Sequence, residues 1–241
     1  MAGKRLYTCN YNYFDVIDSE EKAYWLGFIM ADGCIQHIVR YRKLVTGSFL
    51  QSRKLLKIQL QERDTNHLQK FLSCIEGTYS IKHYFNNGFM SARILIEDNH
   101  LFDSLVTLGA VPRKSLVAKF PNIPSDLEMF FIRGYFDGDG CLSKHKTRHN
   151  TDEFEFSLVG TREMLEAIIE RLPVNHNIKM KQRFPERNVN NWTVKYCGNQ
   201  QTYKVMSLLY KDAKIYLERK YIKYLELEER VSRLYGKPYR V

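Results

Sequence analysis

The sequence predicts an α+β protein in which one αββαββα unit is written twice, and two observations carry that prediction. The first is a gapless internal match between residues 24–35 (YWLGFIMADGCI) and 131–142 (FIRGYFDGDGCL). Each copy has a Gly five residues before an Asp and closes on Asp-Gly-Cys-aliphatic. The copies stand 107 residues apart, too far for a solenoid, whose units recur every ~20–50 residues, so a duplicated domain is indicated. The second observation is that the flanks repeat as well.

The elements follow in order. Asp18 with Glu21, and Ser125 with Glu128, fit capping boxes that start the two motif helices. Ala23, Gly27 and Ala31 recur every four residues, with Phe130, Gly134 and Gly138 at the equivalent places. Small residues at that spacing let two helix backbones come close. Gly33 and Gly140 suit left-handed caps at the helix ends. A basic hairpin follows each motif, then LKIQLQ at 56–61 and FEFSLV at 154–159, both with strand alternation. Helical patterns run at 64–75 and 161–171. Second hairpins turn at Asn86-Asn87-Gly88 and near 186–191, and closing helices run at 99–109 and 200–210. Three prolines, Pro112, Pro121 and Pro124, read as an extended linker between the halves. A helix from about residue 216 has no counterpart in the first half and is expected on the outside.

Composition narrows the function. The 241 residues are 44% hydrophobic and 27% charged, ordinary for a globular chain and unlike a disordered or fibrous one. No apolar run approaches the ~18 residues of a membrane span, and residues 1–10 lack the apolar stretch of a secretory signal. Five cysteines without a CxxC pair predict a reduced, intracellular protein; the compartment expected is a bacterial or phage-infected cytoplasm rather than an organelle. Lys and Arg number 37 against 27 Asp and Glu, a net +10 that points to a polyanionic partner, nucleic acid first. A solvated basic surface is the plainer alternative.

The repeated Asp is where chemistry enters. If the two small-residue helices pack side by side, Asp32 and Asp139 lie at two helix C-termini, beside the negative ends of two dipoles. Such a carboxylate pair is unfavourable alone, and a divalent cation with hard oxygen ligands, Mg²⁺ (or Mn²⁺), resolves it. On a basic protein that suggests metal-assisted phosphodiester hydrolysis. One Asp-Gly would read as a solvated cap; two in matched context do not.

Residues 26–33 (LGFIMADG) and 133–140 (RGYFDGDG) resemble the LAGLIDADG motif of homing endonucleases, and two copies resemble the single-chain, pseudo-dimeric branch. The resemblance implies a saddle: two antiparallel sheets lying in the DNA major groove, with the motif helices paired at the centre. It divides the chain into a first subdomain at 1–112, a linker at 113–125, and a second subdomain at 126–241 with its helical extension. It makes Asp32 and Asp139, with the backbone of Ala31 and Gly138, the metal site, and implies double-strand cleavage with 3′ overhangs at a long pseudo-palindromic target. Where many members carry an acid, Met30 stands here; the matching Asp137 lies ~200° around the helix from Asp139 and reads as structural. As catalytic residues, Gln61 resembles the family's polar group near the scissile phosphate, and Arg93 and Lys195 resemble the basic residues that steady the transition-state charge, a surface role being the alternative for these two.

The expected DNA surface follows from period two. Lys57, Gln59 and Gln61 alternate with Ile58 and Leu60, and Lys179, Lys181 and Arg183 with Ile178 and Met180. Arg40, Arg42, Lys144, Lys146 and Arg148 decorate the first hairpins. Arg and Gln suit base edges, and Lys suits phosphate. His145 and His149 lack further ligands for zinc and read as exposed or DNA-facing. The expected protein is an intron-encoded, monomeric endonuclease on double-stranded DNA. The rivals are an intron RNA maturase and a non-cleaving DNA-binding protein on the same scaffold.

Overall fold

A computed structural model describes residues 6–44, 47–172, 174, 180–187 and 189–236. The αββαββα order is present twice. The first copy runs α1 (Glu20–Asp32), β1 (Gly33–Leu44), β2 (Gly47–Gln61), α2 (Thr65–Cys74), β3 (Lys82–Asn86), β4 (Phe89–Glu97) and α3 (Asn99–Thr107). The second runs α4 (Glu128–Asp139), β5 (Gly140–Lys146), β6 (Asp152–Gly160), α5 (Arg162–Arg171), β7 (Lys181–Gln182), β8 (Trp192–Cys197) and α6 (Asn199–Tyr210), and α7 (Glu218–Tyr235) follows. The sheets are antiparallel, ordered β1-β2-β4-β3 and β5-β6-β8-β7. By packing, the described chain forms two units: residues up to Ile17 with Asp32–Arg113, and Asp18–Ala31 with Lys114 onward. The body of α1 therefore packs with the second unit.

In the first unit the alternation sorts side chains as the sequence requires. Leu56, Ile58 and Leu60 on β2 and Ala92, Ile94 and Ile96 on β4 are buried, whereas Gln59 and Gln61 are exposed and Lys57 half-exposed. Leu68, Phe71 and Leu72 of α2 and Leu101, Phe102 and Leu105 of α3 cover the apolar face, leaving the other face open. Asp98 caps α3, accepting from the Leu101 amide at 2.9 Å. The β3–β4 turn has Asn87 and Gly88 at φ 49° and 81°, the left-handed pair that a two-residue hairpin of the right twist needs. The β1–β2 hairpin outruns its helices: beyond Ile35 and Leu55 its described residues are exposed or half-exposed on both faces.

In the second unit Phe154, Phe156 and Leu158 of β6 and Val194 and Tyr196 of β8 form the buried sheet face. Phe156 and Phe136 stack with centroids 4.7 Å apart. Thr161 caps α5, accepting from the Met164 amide, and donates to the Ala118 carbonyl at 2.5 Å.

Several local expectations need correction. Ser19, not Asp18, caps α1, accepting from the Lys22 amide at 3.3 Å; Asp18 is one residue too early and pairs with the Lys22 ammonium at 2.8 Å. Ser125 opens a 3-10 turn, Ser125–Leu127, and α4 has no side-chain cap. Glu128 binds Arg171 instead. Neither motif Gly is a left-handed cap, because each helix passes directly into a strand: Gly33 pairs with Ile58, and Gly140 has φ −87° and ψ 163°. Gly140 is required for space, since a Cβ there would strike the Phe136 ring. The extended-linker reading fails at Lys114–Leu116, a 3-10 turn with Lys114 buried; proline fixes φ but does not keep its neighbours in solvent. The strand expected at 178–183 is described only at Lys181–Gln182, and Lys179 lies outside the described residues.

Candidate functional site

Helix α1 is apolar all round, and every residue from Ala23 to Ala31 is buried, the signature of a core helix. Its neighbour is α4. A Cβ on Gly27 would fall on the Phe131 carbonyl oxygen and 2.8 Å from the Tyr135 amide; one on Gly134 would fall on the Tyr24 carbonyl oxygen and 3.0 Å from the Phe28 amide. Backbone meets backbone at both places. Polar contacts fix the pairing: Arg133, buried in α4, donates to Glu20 of α1 at 2.6 Å and to the Leu209 carbonyl at 3.2 Å.

Asp137 is 1% exposed. Its carboxylate accepts from the Tyr24 hydroxyl at 2.6 Å, the Leu217 amide at 2.7 Å and the Tyr210 hydroxyl, so it knots α1, α4, α6 and the approach to α7. Burial raises its pKa, opposed by Lys220 and the donated hydrogen bonds, and burial with Asp137 pushes the Tyr24 and Tyr210 phenols well above their ordinary value. The structural reading of Asp137 fits this geometry. Met30 is buried and apolar.

Each motif helix ends in an exposed aspartate, Asp32 on α1 and Asp139 on α4. Asp139 presents an open edge, yet the protein around it raises the carboxyl above its usual range by desolvation, against Lys114, Lys220 and Arg183, which lower it. Two lysines missed in the sequence make these helix ends. Lys114, 7% exposed, donates to the Ala31 carbonyl at 2.8 Å. Lys220, 3% exposed, donates to the carbonyls of Phe136, Asp137 and Gly140 at 2.6, 2.8 and 2.6 Å. A cation on the last carbonyls offsets the negative dipole end, which replaces the glycine caps the sequence suggested. The available signal was that both are lysines just past the end of a repeat, in segments read as linker and outer helix. Helix α7 is not simply external: Lys220, Tyr224, Leu227 and Val231 form a buried stripe, and Tyr224 stacks near Tyr203 and Tyr210.

Lys220→Met is expected to destabilise the fold by about 3–5 kcal/mol, the usual cost of breaking a buried charged network from one side. Urea denaturation measures it, and an unchanged midpoint would show that Lys220 contributes nothing to holding the α4 terminus.

The other expected site residues fall in three places. Lys57, Gln59, Gln61, Arg93, Arg40 and Arg42 share the open face of the first sheet, as the registers Gln59↔Arg93 and Arg40↔Gln51 show. Gln59 donates to Ser91 at 3.0 Å. Arg93 lies over the Tyr84 ring, 4.0 Å from its centroid, and donates to its hydroxyl. Lys181 and Lys195 share the open face of the second sheet, where Lys195 binds Glu155 at 2.7 Å. Lys144 and Lys146 fall on the opposite, helix-bearing side of β5, and both bind Asp152. Arg148 sits in the β5–β6 turn and is exposed, and His145 faces Glu153 at 3.9 Å. Arg183 follows β7 with its amide on the Asn191 carbonyl, and its charge reaches Asp139. Ala31 gives its carbonyl to Lys114, and Gly138 is half-buried in the last turn of α4.

Among the described residues no three His, Cys, Asp or Glu side chains cluster for a metal, and no helix is long and apolar enough to cross a membrane. The donors at the helix ends are carboxylate and carbonyl oxygens, the set a hard divalent cation prefers when water and phosphate complete its shell. A partly desolvated Asp139 fits such a cation.

No family model matches the sequence, and no curated protein matches it. Solved structures do. The meganuclease I-SmaMI bound to uncleavable DNA superposes with TM-score 0.61 at 15% identity, covering 91% of this chain and 93% of that one; I-SmaMI is also known on uncleaved DNA with calcium ions. The LAGLIDADG homing endonuclease I-GzeII in complex with its DNA target gives 0.63 at 11%, covering 88% and 90%. I-LtrWI, another such endonuclease bound to target DNA, gives 0.59 at 11%, covering 93% and 92%. Two sheets, two glycine-paired motif helices and a match over nearly the whole chain lead to one statement: this polypeptide has the single-chain, two-motif LAGLIDADG homing endonuclease fold.

Proposed function

We propose that this chain is a site-specific double-strand DNA endonuclease of the homing type, with Asp32 and Asp139 holding divalent metal. The observation that carries the reading is the pair of motif helices, locked at Gly27 and Gly134, each ending in an exposed aspartate with a buried lysine on its last carbonyls. The solved neighbours on DNA and the calcium-bound complex support it. Mg²⁺ or Mn²⁺ bound there would polarise a phosphate oxygen and acidify a water. The chain's own part is positional. Lys114 and Lys220 hold the helix ends and, with Arg183, oppose the desolvation that raises the Asp139 carboxyl. Gln61, Arg93 and Lys195 stand on the open sheet faces, where they would lie near the scissile phosphate and steady the charge that develops on it. Both motifs reside in one chain, so a monomer completes the site. The products carry 3′ overhangs, as the family resemblance implies.

The experiment is cleavage of a randomised duplex library with Mg²⁺ or with chelator, followed by sequencing of the cut ends. Ends concentrated at one long site, and lost with chelator, are expected. A protein that enriches one duplex but never cuts it with any divalent ion would sink the nuclease reading.

The open sheet faces make a further expectation. Lys57 has no carboxylate partner among the described residues and alternates with buried Ile58. Lys57→Ala should weaken binding to all duplexes alike and lower the salt slope by about one unit. Anisotropy titrations across a salt series decide it: a changed base preference at constant slope would make Lys57 a reader instead.

A further inference from the structure

The two open sheet faces differ in charge. On the first sheet Arg40, Arg42, Arg53, Lys57, Lys82 and Arg93 meet one carboxylate, Glu97, which pairs with Arg53 at 2.5 Å. Arg40, Lys57 and Lys82 have no acidic partner among the described residues. The second sheet is different. Its open face carries Glu153 and Glu155 on β6, set against His145 at 3.9 Å and Lys195 at 2.7 Å. Glu155 also accepts from the Cys197 thiol at 3.4 Å. Period two puts Glu155 on the side opposite Phe154 and Phe156, which are buried, so it cannot serve the core. Lys195 and Cys197 hold its carboxyl below the ordinary range, and it is a full negative charge at neutral pH.

A carboxylate on a surface that meets phosphates opposes binding unless it receives a donor. Lys and Arg are drawn to phosphate, but a carboxylate at a base edge can only accept, and the amino group of cytosine is the donor that fits it. Glu155 is flanked in register by the small side chains of Ser143 on β5 and Cys197 on β8; its carboxylate is half-buried against Lys195 and Cys197, and it meets a base once the exposed Lys195 moves off it.

We propose that Glu155 is a specificity-determining residue: on DNA it accepts from the exocyclic amino group of a cytosine while Lys195 turns to phosphate. This rests on the nuclease reading above. The second sheet then selects sequence at Glu155, and the first sheet supplies most of the salt-dependent hold.

The test is sequencing of duplexes retained from a randomised pool, in calcium, by the wild type, Glu155→Ala and Glu155→Gln. The wild type should enrich cytosine at one position, and Glu155→Ala should lose that preference by roughly tenfold while binding random duplex at least as tightly. Glu155→Gln should shift the same position toward adenine, whose edge suits an amide, a change that lost folding cannot produce. If all three proteins enrich the same site, Glu155 reads nothing and the proposal fails while the DNA-binding reading stands. If the wild type retains no sequence at all, that reading fails and takes the proposal with it.

Discussion

Asp139→Asn is expected to lose about a thousandfold or more in DNA cleavage while keeping its DNA affinity. Asp139 is exposed at the end of α4, the amide keeps the side chain's shape, and the nearest positive groups, Lys114, Lys220 and Arg183, remain. Binding should therefore survive. The loss follows from losing the carboxylate that would hold a cation: several kcal/mol of transition-state charge stabilisation at about 1.4 kcal/mol per factor of ten. Asp32→Asn should behave alike. The pH profile supplies a second check. Desolvation raises the Asp139 carboxyl above the ordinary Asp range, and only its ionised form holds a metal. Cleavage should fall as pH drops through that raised value, above the point where an exposed Asp would protonate. Single-turnover cleavage and anisotropy on the selected duplex measure both. Near-wild-type cutting by both single variants would remove these aspartates from the mechanism.

Gly134→Ala is expected to be among the most damaging single-methyl changes at the described residues. Its Cβ would lie on the Tyr24 carbonyl oxygen and 3.0 Å from the Phe28 amide. Those are backbone atoms, which cannot rotate away as a side-chain tip can. The helices must separate, and Arg133–Glu20 and Tyr24–Asp137 separate with them. Overpacking commonly costs ~1–3 kcal/mol and occasionally more; with that network attached, the cost should exceed 3 kcal/mol, a large part of the ~5–15 kcal/mol that holds a domain folded. Gly27→Ala should match it, since its Cβ meets the Phe131 carbonyl and the Tyr135 amide. Gly88→Ala is the control: no atom lies within 4 Å, and its cost is backbone strain at φ 81° alone. Thermal melts of the three decide whether steric closure or backbone freedom is the reason for the motif glycines. Equal melting shifts would refute the close-packing account.

The repeat of residues 24–35 at 131–142, the alternation in 56–61 and 154–159, and the Asn87-Gly88 turn were enough to determine two αββαββα copies, because each reports a local periodicity or a local backbone need. The open faces of the sheets were legible for the same reason: period two assigns Gln59 and Ile58 to opposite sides wherever the strand lies. Asp137 could be set apart from Asp139 by helical angle alone. Other features depend on residues distant in sequence. Lys114 and Lys220 reach the ends of α1 and α4 across 83 and 80 residues, so no local pattern marks them, and the glycine caps expected there gave way to direct helix-to-strand passage. Lys144 and Lys146 share the face of buried Leu142 by period two, but the carboxylate they bind there, Asp152, comes from the register with β6, which β5 by itself does not contain. The charge contrast between the sheets likewise exists only once β6 and β8 pair and bring Glu155 to Lys195. Sequence settles what each residue can do within its own turn or strand. Which distant charge it meets, and hence whether it is a cap, a reader or a brace, is decided by tertiary packing, because electrostatic and steric contacts act over a few ångströms of space whatever the separation along the chain.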